Sequence, residues 1–479
     1  MLFFQTGASF KSISERAVRT EIKKPGKIYA DVPLNYFASV KDLKDYVAFL
    51  KELGVNVLLI LPHFKPSFSP YVVADYETPC DLFGTWKVFA DFMAYVKDLG
   101  MDRMIDIPFN HADWQVKHLK REWFVNSKSG GIEAGADDED ADGKRVKVKW
   151  GAYVLDNSNK DLQKYWLEKV IFPHIDKMHV NAIRIDAAWG LDPDGLKTIV
   201  RETKKRNPDV WFVAENLGMA KLVKLAESGL EAGADRFFNN FYWHEGGHYI
   251  PGDLYRLYKA SKGAPLCTIF SSHDTLMPAM KSYAKLRSHQ LKGFNNKALL
   301  RQFLEREKID SLSKIGSPRE TKRILELMKS DFLLSALMSS DLMFVAGSEK
   351  LLFAPVNVNS STPADFAKGM DTDFPEFMKN VIALKKSAKI FNSEGLVIPF
   401  GAWKKESYGL KGFCKSVDKK EHLCVITNTS EGVLEFTLPR RIREASEKYI
   451  LMPGKKIKAD LPDKIQINPA TGIIIQAVS

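Results

Sequence analysis

Four stretches of the chain place groups capable of proton transfer or nucleophilic attack directly after short apolar runs. DIPFNH carries Asp106, Asn110 and His111, RID carries Arg184 and Asp186, AEN carries Glu215, and SSHD carries His273 and Asp274. A carboxylate serves as nucleophile, general acid or general base according to the burial and charge around it. Arg184 precedes Asp186 by two residues, so on a strand both side chains point to one face. There its fixed charge would keep Asp186 ionised and oriented. Singly, each residue has an ordinary explanation: an Asp after a strand commonly caps a helix or closes a turn, and a His there is commonly a hydrogen-bonded structural group. Together, Asp186, Glu215 and Asp274 with His and Arg neighbours are not explained by packing, because carboxylates are costly to desolvate without a partner or a purpose.

The elements that must position these groups alternate between strand and helix. Lys27–Pro33 is a short apolar run. It is followed by SVKDLKDYVAFLKELG, in which Ser39 can cap a helix whose Leu43, Tyr46, Val47, Leu50 and Leu53 recur at helical spacing. Gly54 stands where a left-handed C-terminal residue is wanted. Val55–Leu61 is continuously apolar, as in a strand buried on both faces. The unit repeats through Asp102–Pro108, Val180–Asp186, Val210–Glu215, Ala234–Phe238, Cys267–Ser271 and Leu342–Ala346. Eight such units, with no GxGxxG after the first strand, predict an α/β fold, a (β/α)8 TIM barrel, over an open doubly wound sheet. Polar residues 112–150 form an insert after the third strand, and 280–330 read as helical and basic. LCVITNT, VLEFTL, KYILMP and GIIIQAV predict a small C-terminal antiparallel β domain. The expected division is a barrel over 1–394 and a β-sandwich over 395–479.

A length of 479 residues at 45% hydrophobic content accommodates a barrel of about 250 residues or more with an accessory domain. MLFFQTGASFKSIS lacks the basic-then-apolar pattern of a secretory signal, and no apolar run reaches the ~18 residues of a membrane span. Cys80, Cys267, Cys414 and Cys424 are scattered with no CxxC pair, which points to reduced thiols in a cytoplasmic protein and supports neither metal nor disulfide. The net charge of +11 is spread along helical faces rather than gathered in a tract, so it reads as solvated surface, not a nucleic-acid or membrane partner.

GVNVLLILPHF, PYVVADY, DLFGTWKVFADF, GMDRMIDIPFNH, AIRIDAA, VWFVAEN and IFSSHD, in this order, resemble the strand-end motifs of the α-amylase superfamily. The resemblance spans about residues 27–350. It implies retaining cleavage of an α-glucosidic bond in α-glucans or maltooligosaccharides, with a nucleophilic carboxylate on one face of the sugar and a proton donor on the other. By the resemblance, Asp186 is the nucleophile, Glu215 the acid/base and Asp274 the carboxylate that favours the oxocarbenium-like state. His111 and His273 match hydroxyl-binding histidines, Tyr71 an aromatic platform under the sugar, Asp106 a residue that organises the site without reacting, and Asn110 one that is structural or a calcium ligand, with the structural role favoured for both. No cofactor or metal is implied.

The match departs from the family at Val72, where an Asp often follows the Tyr, and at Ser272, where many members have Asn. Both concern substrate and leaving group rather than catalysis. Asp138, Asp140, Asp142 and Gly143 recur like the start of a calcium loop, but the twelfth position is Lys149, so a solvated loop is expected. Trp114, Trp189 and Trp243 are candidates for stacking on sugars, with Trp150 and Phe241 behind them. NPDVWFVAENLGMAKL, FNNFYW and SALMSSDLMFVAGSE faintly resemble the maltosyltransferase branch, which makes an intracellular α-glucan transglycosylase the alternative. A non-catalytic amylase-like binding protein is a third reading, disfavoured by the presence of all three carboxylates.

Overall fold

The computed structural model describes residues 26–139, 145–215, 233–239, 259–287, most of 303–353, 357–401, 409–417, 420–452 and 455–479. Trp243, Phe241, Asp140, Asp142 and Gly143 lie outside the described residues.

The strand and helix signals fold locally as expected. Ser39 caps the helix Val40–Leu53 by accepting from the Asp42 backbone, and Gly54 ends it at φ 98° in the left-handed conformation. Eight parallel strands close into a barrel: β1 (Ile28–Val32), β2 (Val57–Ile60), β3 (Asp102–Ile107), β4 (Ala182–Ile185), β5 (Trp211–Ala214), β6 (Arg236–Asn239), β7 (Leu266–Ile269) and β8 (Asp341–Val345). Each pairs with its chain neighbours, and β1 closes on β8 with Ala30 opposite Phe344.

Strand parity sorts the side chains. Tyr29, Val57, Leu59, Met104, Ala182, Val213, Phe238, Cys267, Ile269 and Met343 fill the barrel interior as one apolar cluster. The alternate positions, such as Ala30, Leu58 and Ile105, face the surrounding helices in the larger core. Two residues further along the inward face come Asp31, Asp106, Arg184 and Glu215. The apolar layer is therefore the floor of a polar layer at the C-terminal ends of the strands.

Two excursions rise over that end. A hairpin after β2, Phe64–Ser69 paired with Val72–Pro79, turns at Tyr71. Its base rests on buried His63, whose ring stacks on Phe89 and bonds His174 between the Nε2 atoms at 2.8 Å. The insert after β3 is a three-stranded antiparallel sheet of His111–Ala112, Glu133–Glu139 and Arg145–Val154. It begins one residue earlier and runs four residues further than the expected 112–150. Asp137 and Asp138, expected in a solvated loop, pair as strand residues with Lys147 and Val146.

The C-terminal sheet has six antiparallel strands, in spatial order Leu396–Gly401, Leu410–Ser416, Glu421–Asn428, Gly472–Val478, Glu447–Met452 and Lys455–Lys458. One face, with Phe413, Leu423, Val425 and Ile474, joins the large core. The other packs Cys414, Cys424, Ile426 and Ile475 against Leu438, Ile442, Ile465 and Ile467, which flank or belong to a two-stranded sheet. Lys411 of this domain pairs with Asp331 of the helix Pro318–Met338 at 2.7 Å, where little water reaches. No helix among the described residues is long and apolar enough to cross a membrane.

Candidate active site

The polar layer begins on β1. Asp31, fully buried, accepts from the His273 backbone N–H at 3.1 Å and from its ring Nδ1 at 2.9 Å. His273 lies in the loop after β7, and its Nε2 stands 3.1 Å from Asp274 Oδ2 and 2.9 Å from the Tyr71 hydroxyl. With both ring nitrogens facing acceptors, the ring is held as an imidazolium. Burial works against that charge, but Asp274 and Asp31 outweigh it and leave the His273 pKa well above the usual range.

Tyr71 continues the chain. Its ring stacks on His273 with centroids 5.3 Å apart and a 17° tilt, and its hydroxyl donates to Asp106 Oδ2 at 2.7 Å. Asp106 also accepts from Arg184 Nη1. The same guanidinium reaches Asp186 Oδ1 at 3.3 Å and Glu215 Oε1 at 2.5 Å. Glu215 Oε2 accepts from the Ala187 N–H at 2.7 Å. Ala187 holds φ 44°, a left-handed conformation costing roughly 1–2 kcal/mol for a residue with a Cβ. That turn points the N–H just after Asp186 toward Glu215, so the strain sits where two buried carboxylates are brought together.

One guanidinium thus faces three carboxylates. Arg184, Asp186 and Glu215 are 3%, 7% and 5% exposed, and Asp106 is fully buried. Burial, offset in part by Arg184 and reinforced by Glu215, pushes the Asp106 carboxyl up to about 6. Asp186 is also pushed well above the ordinary carboxylate range, first by burial and then by the Glu215 and Asp106 charges. The sequence reading has Arg184 keeping Asp186 ionised. In the folded site the guanidinium lies closer to Asp106 and Glu215, so it offsets the upward push only in part. Asp274, with its side chain 43% exposed, stands at the mouth.

The other candidates sit around this network. His111, at the start of the insert, is buried and pushed down to about 4 by burial, so its ring is neutral. It packs at 5.1 Å from Trp150, which meets Trp189 edge-on at 6.3 Å. Both tryptophans are half-buried. Trp150, ranked behind Trp189 in the sequence, is thus beside the site, whereas Trp114 packs on Phe124 and Tyr153 with Arg121 over its face. Asn110 is buried against Gly190, where a Cβ would meet its side-chain oxygen at 2.5 Å. Val72 is buried in the hairpin, and Ser272 caps the loop after β7 through the backbone N–H of Asp274. Among the described residues, no three His, Cys, Asp or Glu side chains are grouped so as to hold a metal ion.

Sequence reading missed Asp31. Its signal was present: a lone Asp in the apolar run KIYADVP, on the same strand parity as the inward Tyr29. His63 and His174 were missed as well, and no spacing in the sequence links residues on separate βα units.

Comparison with known proteins adds a partial match to a family model. Residues 39–142 match the α-amylase catalytic domain, a segment holding β2, the Tyr71 hairpin, β3 and most of the insert. The match lies on the second and third strands of the closed eight-stranded barrel and makes this part of the chain similar to the α-amylase catalytic domain. The fold is shared with an α-amylase from Lactobacillus plantarum at 16% identity and TM-score 0.62, covering 95% of this chain and 99% of that one. It is shared with an α-amylase from Geobacillus thermoleovorans, complexed with acarbose, at 13% identity and TM-score 0.66, covering 95% and 98%. An isomaltulose synthase from Erwinia rhapontici, in complex with sucrose, has 12% identity and TM-score 0.64, covering 95% and 98%. No curated protein sequence matches the chain.

Proposed function

We propose that this chain is a retaining glycosidase acting on α-glucosidic bonds of α-glucans or maltooligosaccharides through a covalent glycosyl-enzyme intermediate. The observation that carries the reading is the convergence of Asp106, Asp186 and Glu215 on Arg184, joined through Tyr71 to His273 and Asp31. Asp186 is the nucleophile. It attacks the anomeric carbon while Glu215 gives a proton to the leaving oxygen, and Glu215 then takes a proton from the acceptor that resolves the intermediate. Both Glu215 oxygens are engaged, by the Ala187 N–H and by Arg184, so the glycosidic oxygen takes the place of at least one of those bonds. Asp274, at the mouth with its imidazolium partner, holds sugar hydroxyls and favours the distorted transition state. Tyr71 supplies the aromatic face for the sugar, and His111 a neutral hydrogen-bonding ring. The catalytic unit is the barrel of residues 1–394, with residues 395–479 as an accessory β-sandwich. The free thiols fit a cytoplasmic setting.

Transfer to a sugar rather than to water uses the same groups, and the fold shared with an isomaltulose synthase keeps that reading open. Incubation with maltose, maltoheptaose, glycogen and maltose 1-phosphate, followed by product sizing, separates the two. Shorter products with rising reducing ends are expected. Longer products at constant reducing ends would indicate transfer, and no change in any sugar would overturn the enzyme reading.

A further inference from the structure

The hairpin formed by Leu410–Ser416 and Glu421–Asn428 sets Cys414 directly opposite Cys424, in the middle of a ladder that pairs Leu410 with Asn428 and Ser416 with His422. Directly opposed residues on one face of an antiparallel pair bring their Cβ atoms to within about 4.5–5.5 Å. Here the two Sγ atoms are 3.1 Å apart and both cysteines are free thiols. Both lie in the core between the six-stranded sheet and the two-stranded sheet over it, Cys424 fully buried and Cys414 nearly so.

Two thiols in contact and fixed in register differ from two scattered cysteines. A disulfide requires opposed Cβ atoms and sulfurs that can close to about 2.05 Å. This pair needs a shift of about 1 Å and no change of strand register. We infer that Cys414 and Cys424 form a redox-active dithiol that closes to a cross-strand disulfide on oxidation. With a small-molecule disulfide as oxidant, one thiolate attacks it and releases the first small thiol. The second cysteine then displaces the other, so two protein thiols lose two hydrogens and the oxidant becomes two thiols. Burial pushes the Cys424 thiol up and away from the thiolate form, so closure is slow in the folded state. The bridge would pin a short hairpin loop. On loop-closure entropy alone that multiplies the folded-to-unfolded ratio of this domain by on the order of 10- to 100-fold. The remaining cysteines take no part: Cys267 lies inside the barrel and Cys80 beside the base of the Tyr71 hairpin.

The test uses the full chain incubated with oxidised glutathione, quenched in acid, unfolded, alkylated and digested. The account expects accessible thiols to fall from four to two, with the Cys414 and Cys424 peptides joined and two hydrogens lighter, and dithiothreitol to restore all four. The Cys424→Ser variant should give no internal bridge. Four thiols after prolonged oxidation, including oxidation during refolding, would overturn the inference. So would a bridge that recruits Cys80 or Cys267.

Discussion

The two ends of the barrel interior carry charge in different proportions. At the N-terminal ends of the strands, Arg236 on β6 donates to both oxygens of Asp341 on β8, at 2.7 and 2.6 Å. The Tyr29 hydroxyl and the Lys27 backbone N–H also donate to Asp341, at 3.0 Å each, and the Ser340 hydroxyl at 3.2 Å. Among the described residues, one guanidinium stands against one carboxylate there. At the C-terminal ends, Arg184 is divided among Asp106, Asp186 and Glu215, and His273 between Asp31 and Asp274. Both ends are buried and both were formed by the same strand parity, so burial alone does not mark the end proposed to react. The excess of carboxylates over cations does. A balanced pair fixes structure, whereas the unbalanced cluster holds the Asp106 and Asp186 carboxyls at raised pKa values and leaves them able to exchange protons.

Substitutions at the two ends should therefore fail in opposite ways. The largest effect is expected for Asp186→Asn: loss of turnover on maltoheptaose by at least ~10³-fold with an unchanged melting temperature. Full activity would remove the upper end from the account. At the lower end, Arg236→Leu should cost about 3–5 kcal/mol of stability, because Asp341 is left buried without its cation. Turnover per folded molecule should stay near that of the parent, as read by denaturant unfolding and active-site-normalised rates. Should that variant lose kcat while keeping its stability, the contrast between the ends is wrong.

Tyr71→Phe keeps the ring over His273 but deletes the hydroxyl between His273 and Asp106. A fall in kcat/KM of about 10-fold is expected, since one charge-assisted hydrogen bond is worth about 1.5–3 kcal/mol at most. Smaller still is the effect of Asp31→Asn, which shows itself in pH dependence. The His273 pKa is raised above its ordinary value of 6.5. The stabilisation from its pairing is thus fully present below that pH and is lost as pH rises through the raised value. Removing the Asp31 charge brings that loss, and the alkaline limb of kcat/KM, to lower pH. An alkaline limb that does not move would show that His273 is not held charged by Asp31.

How much of this was legible in the sequence follows from the same geometry. The eight strands were readable because parallel strands buried on both faces are continuous apolar runs, and VNVLLIL and VNAIRID have that texture. Asp106, Arg184 and Glu215 were readable because they stand at the ends of such runs. The Tyr71 hairpin was not. KPSFS carries a Pro and alternates weakly, so only pairing with Val72–Pro79 makes it a strand. Asp31 passed unnoticed inside an apolar run, and the division of Arg184 among three partners depends on how β3, β4 and β5 stack in register. Charge balance is a property of the closed barrel, and no single βα unit contains it.

Covalent trapping reads out the attack of Asp186 on sugar carbon without relying on rates. The protein is incubated with an activated fluorosugar, 5-fluoro-α-glucosyl fluoride, whose fluorine slows breakdown of the intermediate, and then digested for mass spectrometry. One adduct is expected, on the peptide carrying Asp186, absent from Asp186→Asn and accumulating as turnover of maltoheptaose is lost. An adduct on Glu215 or Asp274, or inactivation without any adduct, would contradict it.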